Sequence, residues 1–209
     1  MGNLTKRLIG LTGGIATGKT TVSNYLAGKY HLPILDADIY AREAVAKDSP
    51  ILQAIFNRYG SKVMQSDCEA SRRHRSLNRA ALGEIVFNDP SEKQWLESQI
   101  HPYVRSCFDR DLQKTPEDTV VLAIPLLFEA RLTDTVTEIW VVSCDRSLQI
   151  SRLQQRNGLT EARALARINS QMSLKEKTAA ADVVLNNDGN LQHLFTQVDE
   201  AIQSNVKQK

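Results

Sequence analysis

Five short apolar runs punctuate the chain, and stretches of helical periodicity lie between them. Leu8, Ile9 and Leu11 make the first run, Leu32 to Leu35 the second, Val120 to Phe128 (VVLAIPLLF) the third, Ile139 to Cys144 the fourth and Asp182 to Leu185 the fifth. Near-continuous apolar runs of this length are expected of strands covered on both faces. A helical pattern from Thr20 to Lys29 follows the first run, and another from Ile39 to Ala46 follows the second. Residues 49–113 read as mainly helical, with one stripe at Ile51, Leu52, Ile55 and Phe56 and another at Leu77, Ala81, Leu82, Ile85 and Val86. The pattern that starts at Ser91 is expected to break at His101-Pro102, because proline disfavours a helical residue before it and lacks a backbone donor. Tyr103, Val104, Cys107 and Phe108 then restore the apolar face, and Leu191, Leu194, Phe195, Val198 and Ile202 form a closing amphipathic helix. Strands alternating with helices predict an α/β fold: three layers, α/β/α, around a mostly parallel five-stranded sheet.

The first run stops at glycines. From Leu8 to Thr21 the chain reads LIGLTGGIATGKTT, in which Gly13, four residues, Gly18, Lys19 and Thr20 satisfy G-x-x-x-x-G-K-[ST] between a strand and a helix. Gly13, Gly14 and Gly18 permit positive φ and close backbone approach, so that successive N–H groups form an anion-binding nest. The whole loop, Gly13, Gly14, Ile15, Ala16, Thr17, Gly18, Lys19, Thr20 and Thr21, is therefore the candidate ATP-binding segment. Lys19 is placed to reach the β- and γ-phosphates, and Thr20 to offer a hydroxyl to Mg²⁺. The loop names no activity by itself, because motors, GTPases, transporters and small-molecule kinases share it.

Asp36-Ala37-Asp38 ends the second run, and Arg42 follows one helical turn beyond Asp38. In an open parallel sheet the carboxyl edge is where ligands bind, which is also the edge that carries the glycine loop. An aspartate at Asp38 also suits a helix N-cap. Two aspartates two residues apart, with an arginine a turn further on, point instead to an active site. His101 and Arg105 suit either a ligand contact or local capping at the helix junction. The run Arg72, Arg73, His74 and Arg75 has no interleaved aromatics and reads as a solvated loop.

Composition narrows the class. With 209 residues, 42% hydrophobic and 24% charged, the chain is an ordinary globular protein with a sizeable core. Cys68, Cys107 and Cys144 are far apart and form no C-x-x-C, so neither a disulfide framework nor a zinc site is indicated. No segment reaches the ~18 consecutive apolar residues of a membrane span, and a cytoplasmic protein is expected. A net charge of +2 does not suggest a nucleic-acid partner. Its distribution is uneven, however. Arg146, Arg152, Arg156, Arg163, Arg167, Lys175 and Lys177 stand against only Glu161 and Glu176, a helical segment placed either to meet an anion or to form a solvated face.

D-x-x-G and N-K-x-D, the strings of a GTPase, are absent, and the third run has no aspartate where a Walker B would place one. A glycine loop, a helical insertion and an arginine-rich segment fit a small-molecule kinase with a lid, acting on a nucleotide, a sugar or another acceptor; a non-catalytic ATP-binding regulator is the other reading. Nearly end to end, the chain resembles the dephospho-coenzyme A kinase family. The resemblance rests on LTGGIATGKTT (Leu11 to Thr21), DADIYAR (Asp36 to Arg42), LNRAALGEIVF (Leu77 to Phe87), His101-Pro102 with Arg105, PLLFE (Pro125 to Glu129), Arg152 to Arg156, Arg167 with Gln171, and ADVVLNN (Ala181 to Asn187). It implies transfer of the ATP γ-phosphoryl group to the ribose 3′-hydroxyl of dephospho-coenzyme A; the loop calls for Mg²⁺ with the ATP, and no obligate protein partner is evident in the sequence. It also implies Asp38 as base, Asp36, Arg42, His101 and Arg105 near the acceptor, and Arg152 and Arg156 as lid contacts to ATP phosphates. The corresponding domains are a nucleotide core (1–38, 113–145 and 180–209), an acceptor-binding region (39–112) and a lid (146–179). Two departures stand out: Ala16 and Thr17 replace the family's usual glycine and serine, with no loss of activity expected, and Arg72 to Arg75 replaces a typically acidic or neutral stretch.

Overall fold

Burying both faces of a sheet requires helices on each side, and the first of two compact units is built that way. The computed structural model describes residues 6–65 and 76–204, so Cys68 and the Arg72 to Arg75 run lie outside the described residues. The two units are Met1–Ala37 with Leu112–Lys209, and Asp38–Asp111.

In the first unit the strands β1 (Arg7–Gly13), β2 (Ile34–Asp36), β3 (Thr119–Ala123), β4 (Glu138–Ser143) and β5 (Val183–Asn186) form one sheet in the order β2-β3-β1-β4-β5. Every pairing is parallel. Ile9 and Leu11 on β1, Val121 on β3 and Trp140 and Val142 on β4 face one side. There they pack against Val22 and Leu26 of α1 (Lys19–Tyr30) and Leu194 and Val198 of α9 (Leu191–Gln203). The alternate residues Val120, Leu122 and Val141 are equally buried on the opposite face. There α8 (Leu174–Ala179) packs on β4, and Val136 and Leu127 crowd Gly10. Each such aliphatic side chain stabilises the fold by roughly 1.5–3 kcal/mol, which is why the strand sequences are apolar throughout rather than alternating. The three-layer α/β/α architecture with five parallel strands is the one expected.

The third strand is shorter than its apolar run. It ends at Ala123, and residues 125–131 turn, with the Ala130 N–H donating to the Leu126 carbonyl (2.8 Å) and the Arg131 N–H to that of Phe128 (3.0 Å). Pro125 has no N–H for a ladder, so the strand cannot extend through it. Leu127 is still fully buried, and the run's remaining apolar residues serve the core from a turn.

The second unit is helical. It holds most of α2 (Ala37–Ala44), then α3 (Pro50–Tyr59), α4 (Arg79–Asn88) and nearly all of α5 (Pro90–Lys114). Ser49 caps α3 by accepting from the Leu52 N–H at 3.0 Å, and Asn78 caps α4 by accepting from that of Ala81 at 3.0 Å. The two predicted stripes meet in one core, with Leu52, Ile55 and Phe56 packed beside Leu82, Ile85 and Val86. The expected break at His101-Pro102 does not occur, because α5 runs continuously through Pro102. Proline removes one ladder bond at a cost of about 3 kcal/mol. Apolar residues on both sides hold the helix across it: Trp95, Leu96 and Ile100 pack on the α3–α4 core, and Val104, Cys107 and Phe108 are buried.

Candidate active site

The loop between β1 and α1 is shaped by contacts that only glycine tolerates. A Cβ on Gly13 would lie 2.5 Å from the Val142 carbonyl oxygen and 2.7 Å from Thr17 Oγ1. Gly18, at the N-cap of α1, has φ 107°, and a Cβ there would collide with Asn187 Nδ2. Ala16 adopts φ 61°, the left-handed conformation that a glycine takes without cost. Alanine costs about 1 kcal/mol there, and the surrounding contacts hold the loop in place regardless.

Those contacts engage the carbonyls along the loop. Thr17 Oγ1 donates to the Gly14 carbonyl (2.9 Å), Gln149 Nε2 to Ile15 (2.7 Å), Arg152 Nη1 to Ala16 (3.2 Å) and Asn187 Nδ2 to Thr17 (2.7 Å). At the start of α1 the first intrahelical donor is Thr21, whose N–H reaches the Gly18 carbonyl at 2.9 Å. The Lys19 and Thr20 N–H groups precede it, so they remain available to an anion at the positive end of the helix dipole. Lys19 is half-buried, and Thr20 is exposed. Among the described residues Lys19 has no hydrogen-bond or ion-pair partner.

The basic segment becomes α6 (Arg146–Asn157), α7 (Glu161–Asn169) and α8. Its cations do not act as a group. Lys177 is fully buried, donating to the Pro125 carbonyl (3.3 Å) and paired with Glu129 at 2.9 Å, so it is not placed to meet an anion. Arg146 Nη2 donates to Asn169 Oδ1 at 2.7 Å. Arg152 lies against the loop, its guanidinium also reaching the carbonyls of Thr17 (3.4 Å) and Asn187 (3.0 Å). Arg156 is exposed, bonded to Asn157 Oδ1 at 3.0 Å. Beside the loop lies a cavity of about 520 Å³ lined by Gly14, Cys144, Arg146, Gln149 and Gln171. Burial pushes the Cys144 thiol up, so it stays protonated at neutral pH.

Asp36 ends β2 opposite Ala123, which also pairs with Leu11, so it stands on the edge of the sheet from which the loop departs. The helix begins at Ala37, and Asp38 is exposed inside the first turn of α2 rather than at its cap. In the second unit Arg42 lies in the last turn of α2, and His101 and Arg105 sit one turn apart on α5. Glu129 and Asn187 entered the sequence reading only as members of the PLLFE and ADVVLNN motifs, with no role attached, and nothing local marks a buried lysine at Lys177 or a glutamine at Gln149 aimed at a distant loop. Among the described residues no group of three or more His, Cys, Asp or Glu could hold a metal, and no helix is long and apolar enough to cross a membrane.

Known proteins match this arrangement along most of the chain. The family profile described as Dephospho-CoA kinase matches residues 7–193. A dephospho-CoA kinase of Synechocystis sp. is 60% identical, covering 94% of this chain and 94% of that protein. One from Trichormus variabilis is 57% identical, covering 95% and 98%. Among solved structures, TT1252 from Thermus thermophilus aligns with a TM-score of 0.78 at 32% identity, covering 94% of this chain and 96% of that one. Dephospho-CoA kinase from Campylobacter jejuni aligns at 0.64 and 27%, covering 94% and 95%. A phosphate loop at the head of a five-stranded parallel sheet, carried on a chain with this similarity, belongs to the dephospho-CoA kinase family.

Proposed function

We propose that the protein transfers the γ-phosphoryl group of ATP to the ribose 3′-hydroxyl of dephospho-coenzyme A, giving ADP and coenzyme A. The observation that carries the reading is the loop: its carbonyls are held by protein donors while N–H groups and Lys19 are left at the N-terminus of α1. In this reading residues 1–38, 113–145 and 180–209 form the nucleotide core, 39–112 the acceptor-binding region and 146–179 the lid. The nest and Lys19 hold the β- and γ-phosphates, and Asp38 accepts or orients the hydroxyl proton. Asp36, Arg42, His101 and Arg105 line the acceptor. Thr20 suits Mg²⁺, because a single exposed hydroxyl with no carboxylate cage, among the described residues, fits a hard cation that keeps waters and phosphate oxygens as its other ligands. Bound there, Mg²⁺ supplies charge neutralisation on the transferred group. The setting is the cytoplasm.

Arg152, through the N–H groups its carbonyl bonds leave over, and Arg156 contact the ATP phosphates. Arg156→Ala is expected to raise KM for ATP or lower kcat by about tenfold, the scale of one lost charge-assisted bond. Thermal stability should stay unchanged, since the side chain is exposed. A steady-state ATP titration identical to wild type would remove Arg156 from the site.

The reaction itself is tested by ADP release from Mg-ATP with and without dephospho-coenzyme A, and by the mass of the product. Acceptor-dependent release and a gain of one phosphate are expected. Nucleotide binding without that product would mean the acceptor has been misassigned.

A further inference from the structure

We propose that Gln171 is a positioning residue for phosphoryl transfer, acting by fixing the peptide group that carries the Ile15 N–H, opposite Gln149 on the Ile15 carbonyl; the role rests on the kinase reading above. Gln171 Oε1 accepts from the Ile15 N–H at 2.8 Å, and Gln149 Nε2 donates to the Ile15 carbonyl at 2.7 Å. One glutamine thus holds the peptide before Ile15 and the other the peptide after it. Gln149 is 2% exposed, and both glutamines line the cavity beside the loop. The Ile15 N–H is therefore committed to the protein, and the direction of the neighbouring N–H groups is set before any phosphate arrives.

The turn that carries Gln171 is itself anchored. The next residue, Met172, donates its N–H to Glu129 Oε1 at 3.0 Å, and the same carboxylate pairs with the fully buried Lys177 at 2.9 Å. A buried ammonium without its carboxylate is strongly unfavourable, so this pair holds Glu129 in one place. Lys177 also donates to the Pro125 carbonyl (3.3 Å), which accepts from Thr12 Oγ1 (3.1 Å) at the end of β1. A closed circuit results: β1, the turn after β3, α8, the 171–172 turn and back to the loop that leaves β1. Its outcome is a loop whose shape does not depend on nucleotide, which is what an electrostatically preorganised site requires.

The test compares Gln171→Ala with Gln171→Glu, which keeps an acceptor for the Ile15 N–H. Gln171→Ala is expected to lower kcat with dephospho-coenzyme A about tenfold with its melting temperature unchanged. Gln171→Glu should retain kcat within about threefold while raising KM for ATP, because the added charge faces the same region as the phosphates. Hydrogen exchange at the Ile15 amide should be slow in wild type and Gln171→Glu and fast in Gln171→Ala. An active wild type with unchanged kcat in Gln171→Ala, or Gln171→Glu falling as far as Gln171→Ala, overturns the positioning role alone. A wild type that forms no phosphorylated product overturns the kinase reading, and this role with it.

Discussion

Lys19→Ala is expected to lower kcat for ADP formation by about 10²-fold or more, the scale of removing one preorganised charge from a phosphoryl-transfer site. Lys19 opens α1, where the helix dipole is already positive, so a cation there is unfavourable to the helix itself. No partner among the described residues offsets it. The proposed phosphate contact would account for a half-buried lysine kept in such a place. The substitution should accordingly leave the melting temperature unchanged or slightly raised while ATP turnover collapses. Acceptor-independent ATP hydrolysis should fall with it, because the proposed contact is to the donor. Steady-state ADP release and a thermal melt on the same preparation decide the matter, and turnover within a few-fold of wild type would remove Lys19 from the phosphate site.

Asp38→Asn is expected to lower kcat by a similar factor, about 10²-fold, through a different step. Asparagine keeps the size of the side chain and can still occupy the first turn of α2, but it cannot take a proton from the attacking hydroxyl. Asp38 is exposed there and lies inside the helix, so a capping loss does not account for the expected effect. The distinguishing signature is that KM for ATP stays near wild type while acceptor-dependent turnover is lost. Near-normal turnover in the folded variant would show that the hydroxyl needs no base at this position and would leave Asp38 with orientation at most.

Much of the first unit was legible from local chemistry. Ile9, Leu11, Val121, Trp140 and Val142 could be assigned to a doubly covered sheet because burial on both faces leaves no place for polar alternation. Gly13 and Gly18 marked the loop because each needs a conformation or an approach that a Cβ would forbid. In the helical unit, Leu52, Ile55 and Phe56 recurred at helical spacing, whereas the caps at Ser49 and Asn78 emerged only from the structure.

Other features depended on partners that no local pattern names. Pro102 stays inside a helix because apolar residues on both sides of it pack into the core, partly buried before it and buried after it, a tertiary effect that overrides the proline's own preference. Pro125 ended β3, yet Leu127 beyond it is buried in the core, so the same apolar run is divided between a strand and a turn. Lys177 looked like one more cation of a basic helix until its burial against Glu129 removed it from that count.

By itself, then, the sequence determined the sheet, the phosphate loop and the start of the helix behind it, because glycine, apolar burial and a helix N-terminus act within a few residues. Only the tertiary structure decided how the loop is held. Gln149 and Gln171 reach Ile15 across 134 and 156 positions of chain, and Arg152 reaches Ala16 across 136. A hydrogen bond depends on where two groups meet in space, and at such separations the packing of the whole sheet, rather than any spacing along the chain, sets that meeting point.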